Sequence, residues 1–147
     1  MADVLFVCVH NGGRSQMAKA LFNQLARQRR LPLLADSAGT QPADRVNPAA
    51  ADVMKELGID LSDELPKLLT NGMVEAVGIV ITMGCSVDAE ACPALFIKDV
   101  VDWGLPDPSG KPVQEVRAIR DTIQAKVEHL LDSMASTDAR DITALME

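Results

Sequence analysis

Apolar and polar positions along the chain fall into two alternating patterns. Short unbroken apolar runs read as strands buried on both faces, and spacings of three and four read as amphipathic helices. The run DVLFVC, Asp3 to Cys8, predicts a first strand. Behind it, SQMAKALFNQLARQRR places Met17, Ala18, Leu21, Phe22 and Leu25 on one helical face. LPLLADSAG, Leu31 to Gly39, predicts a second strand ending in a turn. A second helix starts with Asn47 as N-cap and Pro48 at its first position, and Gly58 closes it. AVGIVITMG, Ala76 to Gly84, is the third and most apolar strand. DVVDWGLPDPSGKP opens as a short fourth strand and breaks into a Pro/Gly loop. The last helix begins at Pro112, with an inner stripe of Val113, Val116, Ile119, Ile123, Val127, Leu130 and Met134.

Strands alternating with helices predict βαβ units and a mostly parallel sheet in one α/β domain. That domain is expected over residues 1–135, with residues 136–147 as a weakly patterned tail that frays. In such sheets ligands sit beyond the carboxyl ends of the strands. Cys8, Cys85 and the loop after Asp102 all follow strand ends, so distant segments can share one crevice.

Composition narrows the picture. The 147 residues are 48% hydrophobic and 24% charged, which fits a globular chain. Aromatics make up only 3%, so the core must be aliphatic. No apolar run approaches the roughly 18 residues of a membrane span, and the first residues lack a signal-peptide pattern. A net charge of −7 disfavours nucleic acid, whose phosphates need clustered cations. The cluster Arg27 to Arg30 reads as a solvated helix end. Three cysteines and no secretion signal fit a reducing cytoplasm. The expectation is a cytoplasmic monomer without a cofactor.

The first strand and first helix are joined by Cys8-Val9-His10-Asn11-Gly12-Gly13-Arg14-Ser15, a C-x5-R-S arrangement. Five residues can wrap nearly a full circle, and the two glycines favour unusual backbone conformations. Inward N–H groups and the helix N-terminus then form a nest for a tetrahedral oxyanion. Arg14 closes it with a planar fork. The same positive ends favour a thiolate at Cys8, and Ser15 is placed to hydrogen-bond the sulfur. Val9 to Ser15 are therefore the expected substrate-binding residues, with His10 given no chemistry because a nest uses backbone. The glycines match neither a dinucleotide fingerprint nor a phosphate-loop lysine motif. An inert buried thiol at a strand–helix junction is the plainer alternative, and Gly12, Gly13, Arg14 and Ser15 together weigh against it.

Cys85 and Cys92 lie in CSVDAEACP. Zinc would want shorter pairs and four ligands, and only His10 and His129 are left to complete them. A redox pair is the better reading. Asp107 precedes Pro108 in the loop after the fourth strand, where a rigid turn can hold a carboxyl over a bound anion. Trp103 is expected to pack the base of that loop.

The C-x5-R-S loop resembles that of the low-molecular-weight protein tyrosine phosphatases. CVHNGGRSQMA is most similar to arsenate reductases built on that scaffold. DSAGT, VNPAAADVMKELGIDLS, VITMGC and DWGLPDPSGK match in order, covering all but the last dozen residues. The resemblance implies a three-layer sandwich with a four-stranded parallel sheet of order 2-1-3-4. It implies Asp107 as general acid and Cys85 and Cys92 as relay thiols. Cys8 would attack arsenate, Cys85 would attack Cys8 and release arsenite, and Cys92 would free Cys8. An external dithiol, thioredoxin foremost, would reduce the final disulfide; mycothiol and glutaredoxin routes exist among relatives.

Two departures stand out. The phosphatases carry aromatics after Asp-Pro, whereas Ser109 and Gly110 follow here and the chain has no Tyr. Some relatives hold potassium beside the loop through an acidic residue that aligns with Lys19; an ammonium in place of the ion and an ordinary surface lysine both remain open. A phosphomonoesterase using Cys8, Arg14 and Asp107 is the second functional reading, and a non-enzymatic redox switch is the third.

Overall fold

A computed structural model describes residues 2–84 and 100–135. The elements are β1 (Val4–Cys8), α1 (Arg14–Gln28), β2 (Ala35–Gly39), α2 (Pro48–Lys55) and α3 (Asn71–Ala76). They continue as β3 (Ile79–Thr82), β4 (Val100–Asp102) and α4 (Val113–Ala135). The strands form one parallel sheet in the order β2-β1-β3-β4, as expected.

The central strand explains the three layers. Side chains alternate along β1. Val4, Phe6 and Cys8 face one core, shared with α1, α2 and α4. Leu5 and Val7 face a second, smaller core with Val74 of α3, Leu69, Val77 and Val80. Both faces are thus covered, and an unbroken apolar run is what such a strand requires. The described aromatics gather at one place: Phe6 meets Phe22 edge-on at 6.2 Å and Trp103 at 5.4 Å between ring centroids. Lys126 Nζ lies 5.9 Å above the Trp103 ring.

The helix boundaries follow their local chemistry. Asn47 Oδ1 accepts from the Ala49 N–H at 2.9 Å, with Pro48 opening α2. Gly58, at φ +77°, takes the left-handed position that ends α2, and Ile59 N–H closes onto Met54 O. Helix α1 ends the same way without a glycine. Arg30 adopts φ 58°, and Leu31 N–H bonds Ala26 O.

Several expectations shift. β2 begins at Ala35, not Leu31, because residues before it complete the α1 terminus. β3 is confined to Ile79–Thr82, since Asn71–Ala76 coils into α3, capped by Thr70. On α4, Val113 is exposed in the first turn, while Leu131, not Leu130, is fully buried. The residues expected as a fraying tail, 136–147, lie outside the described residues.

Helices α2 and α4 are joined by a charge cluster. Glu56 accepts from Arg117 at 2.8 to 3.0 Å and from Arg120 at 2.7 Å. Those bonds hold the Glu56 carboxyl at about 2, below its ordinary 4.5. A carboxylate with a lowered folded-state pKa stabilises the fold above its ordinary pKa, and that stability is lost as pH falls toward the lowered value. Urea midpoints of the native chain should therefore fall between about pH 5 and pH 2 more steeply than those of Glu56→Gln. Parallel curves for the two proteins would refute this role.

Candidate active site

The loop after β1 wraps around a pocket of about 350 Å³. Its shape is set by where its carbonyls go. Val9 O accepts from Gln41 N–H, His10 O from Ala43 N–H and Gly12 O from Asn47 N–H, at 2.8, 2.9 and 2.6 Å. Asn11 O accepts from Gln16 Nε2 at 3.1 Å, and Gly13 O from Met17 N–H at 2.9 Å. Every peptide here is trans, so the N–H of each following residue points the opposite way. The amides of residues 10 to 14 are thereby turned inward, away from the bracing segment at Gln41 to Asn47.

The left-handed residue is Asn11, at φ 50°, while neither Gly12 nor Gly13 has positive φ. Asparagine tolerates this region because its short polar side chain can bond locally. Gly13 is required by close approach: a Cβ there would lie 2.9 Å from Pro108 Cγ.

Asn11 is fully buried and directs the polarity around the sulfur. Its Oδ1 accepts from the Lys67 N–H at 3.0 Å and from Gln16 Nε2 at 3.1 Å. A backbone donor leaves no ambiguity about which end of the amide is oxygen. Its Nδ2 therefore donates to Ser15 Oγ, at 2.7 Å. With that lone pair taken, the Ser15 hydroxyl proton turns to Cys8 Sγ, 2.8 Å away. The Asn11 N–H donates to the same sulfur at 3.1 Å. Two donors aimed at one sulfur stabilise negative charge on it.

Arg14 is the first residue of α1 and is buried. Its Nη1 donates to Met83 O at 2.9 Å and to Leu105 O at 2.7 Å. These neutral acceptors fix the guanidinium without cancelling its charge. The arginine also joins the ends of β3 and β4 to the loop.

Cys8, His10, Gly12, Gly13, Arg14 and Asp107 line the one pocket. Asp107 is exposed, and its Oδ1 accepts from Ser109 N–H at 2.9 Å. Pro108 is buried against Gly13, which sets the height of this loop over the nest. Of the other residues expected to bind substrate, Asn11 and Ser15 brace the sulfur from behind, and Val9 acts through its carbonyl. His10 Nδ1 donates to Gln41 O at 3.1 Å. Cys85 and Cys92 lie outside the described residues.

Three contributors escape sequence reading. Gln16, buried in the first turn of α1, holds Asn11 and contacts Leu65 O. Lys67 contributes its backbone N–H, positioned by the pairing of Leu69 N–H with Gly39 O. Arg45 lines the pocket mouth. None left a trace: Gln16 lies opposite the apolar face of Met17, Ala18, Leu21, Phe22 and Leu25, where the helix pattern calls for a polar residue. Beside this network, burial would raise the Asp36 carboxyl, but Lys67, the Ser37 N–H and Lys19 together lower it. Lys19 Nζ stands 3.1 Å from Glu64 and 3.8 Å from Asp36.

Residues 3–140 match the model of the family described as low molecular weight phosphotyrosine protein phosphatase. A Halobacterium salinarum protein provisionally named an arsenate reductase is 43% identical over 141 residues, covering 90% of this chain and 93% of its own. An arsenate reductase of Staphylococcus aureus is 35% identical over 132 residues, covering 86% and 93%. Among solved structures, a thioredoxin-dependent arsenate reductase of Corynebacterium glutamicum superposes with a TM-score of 0.73 at 34% identity. That match covers 94% of this chain and 64% of the other. With a cysteine, an arginine and a carboxylate lining one anion-shaped pocket in this fold, the chain belongs to the low molecular weight phosphotyrosine protein phosphatase family.

Proposed function

We propose that this protein reduces arsenate to arsenite, with Cys8 as nucleophile and Cys85 and Cys92 as the thiols that carry the oxidising equivalents away. The observation that carries the reading is the pocket itself. Inward amides, an arginine fixed by neutral carbonyls and a doubly hydrogen-bonded sulfur suit a small tetrahedral oxyanion. Among the described residues its apolar walls are Ala43, Val46, Pro48 and Pro108, with no Phe, Tyr or Trp for an aryl ester to stack on. Relatives named arsenate reductase support the same chemistry.

In the proposed sequence, Cys8 thiolate attacks arsenic while Asp107 protonates a departing oxygen, which leaves as water. A sulfur–arsenic bond now joins enzyme and substrate. Cys85 thiolate attacks the Cys8 sulfur. The sulfur–arsenic bond breaks, its electron pair stays on arsenic, and arsenite leaves a Cys8–Cys85 disulfide. Cys92 then attacks Cys85, releasing Cys8 thiolate and leaving a Cys85–Cys92 disulfide for an external dithiol to reduce. Connectivity supports Cys85 in this role. Met83, whose carbonyl accepts from Arg14, precedes it by two residues, and two residues of chain extend at most about 7 Å. The thioredoxin-dependent neighbour supports thioredoxin as the dithiol. Such a reaction belongs to the cytoplasm, where these thiols stay reduced. The residues near Lys19 do not fit a potassium ion, because the ammonium already stands between Asp36 and Glu64.

One arsenate turnover without reductant should lower the protein mass by about two daltons, with the lost hydrogens mapping to Cys85 and Cys92. Cys92→Ser should stall as a Cys8–Cys85 disulfide; a phosphomonoesterase would show neither product, and that outcome would sink the relay. Asp107→Asn should lower kcat roughly a hundredfold or more while the protein still binds sulfate and phosphate. Ser15→Ala should slow iodoacetamide alkylation of Cys8 at neutral pH by about tenfold, the effect of one lost hydrogen bond to a charged group. An unchanged rate would mean that the hydroxyl does not stabilise the thiolate.

A further inference from the structure

The protein carries a net charge of −7, yet the pocket is built for an anion. An approaching dianion meets a repulsive field unless the mouth opposes it. Among the described residues, five cations are already paired with carboxylates. Lys19 with Glu64, Lys67 with Asp36, Arg29 with Asp132, and Arg117 and Arg120 with Glu56 all form ion pairs. Arg45 is different. It is exposed, lines the pocket, and has no ion pair or side-chain hydrogen bond among the described residues.

Its backbone is fastened to the anion loop on both sides. Ala43 N–H bonds His10 O at 2.9 Å and Asn47 N–H bonds Gly12 O at 2.6 Å. Val46, between them, is buried. Arg45 O stands 3.6 Å from the point a Cβ on Gly12 would occupy. The base of this side chain is therefore held against the nest while its charged end stays in water. The other charged or titratable groups at the mouth are Asp107, His10 and, next along the chain, Asp44. Arg14 lies deeper, fixed by carbonyls.

We propose that Arg45 is a positioning residue for anion capture, drawing oxyanions through the protein's negative field to Arg14 and the loop amides. It selects for charge at the mouth, where Arg14 and the amides select for shape at the base. The oxyanion it would serve is the substrate proposed above, so the inference rests on that reading. The field itself is measurable without it.

The test compares two reagents of similar size on the full-length protein, following the Cys8 peptide by mass spectrometry. Iodoacetate is an anion and iodoacetamide is neutral. Arg45→Ala should slow alkylation of Cys8 by iodoacetate about threefold to tenfold and leave the iodoacetamide rate unchanged. Arg45→Lys should restore the ratio, and Arg30→Ala, a cation remote from the pocket, should not alter it. The difference should vanish in about 1 M salt, where the screening length is about 3 Å. In turnover, Arg45→Ala should raise the arsenate KM and spare kcat. Equal slowing of both reagents would mean that Arg45 only braces the loop, and no slowing of either would mean that it exerts no field; both overturn the inference. Failure of the native protein to reduce arsenate would defeat the proposed function and leave the reagent ratio standing.

Discussion

The anion loop is shaped by what its carbonyls bond to outside it. A chain of backbone between strand and helix has as many acceptors as donors, and an anion tolerates only the donors. The acceptors from Val9 to Gly13 are each turned outward and satisfied, three of them by the segment from Gln41 to Asn47. Unsatisfied, those carbonyls would compete for the interior or leave buried polar groups unpaired. The bracing segment is therefore as much a part of the pocket as the loop, although it supplies only backbone to most of it. Cys8, the register of β1 with β2 and the start of α2 at Asn47 all meet at this one set of bonds.

A second polar chain runs behind the sulfur. It starts at the Lys67 N–H, passes through the Asn11 amide and the Ser15 hydroxyl, and ends at Cys8. Each link fixes the orientation of the next, because each group can serve as donor or acceptor only once its neighbour is decided. Gln16 is committed the same way. Its Nε2 faces three acceptors, while its Oε1 is buried without a hydrogen-bond partner among the described residues. A buried carbonyl left so costs on the order of 1 to 3 kcal/mol. The structure tolerates that cost beside a site whose loop must not relax.

Sequence carried the framework well, and for a clear reason. Strand, loop and helix at the N-terminus are local features, and so are the Asn47 cap and the Gly58 terminator. The candidate site was legible where its chemistry lies in one run, from Cys8 to Ser15. It was illegible where partners come from afar. Nothing near Lys67 marks it as a donor to Asn11, because the donor is backbone and only the fold brings it there. The glycines were legible as special, but not that the left-handed turn falls on Asn11 or that Gly13 answers a neighbour distant in sequence. Similarly, apolar spacing put Val113 in the core, but the first turn of α4 leaves it exposed.

Gly13 and Pro108 meet where loop and acid-bearing turn approach each other. A Cβ added to Gly13 would stand closer to the proline ring than carbon atoms pack. Any larger side chain at this position would act as a spacer under the turn that carries Asp107, lifting the carboxyl away from whatever rests on the sulfur. The clearance of the whole cleft is thus gauged by a missing methyl group. Change at this point would be felt as altered reach between two distant parts of the chain rather than as a loosened core.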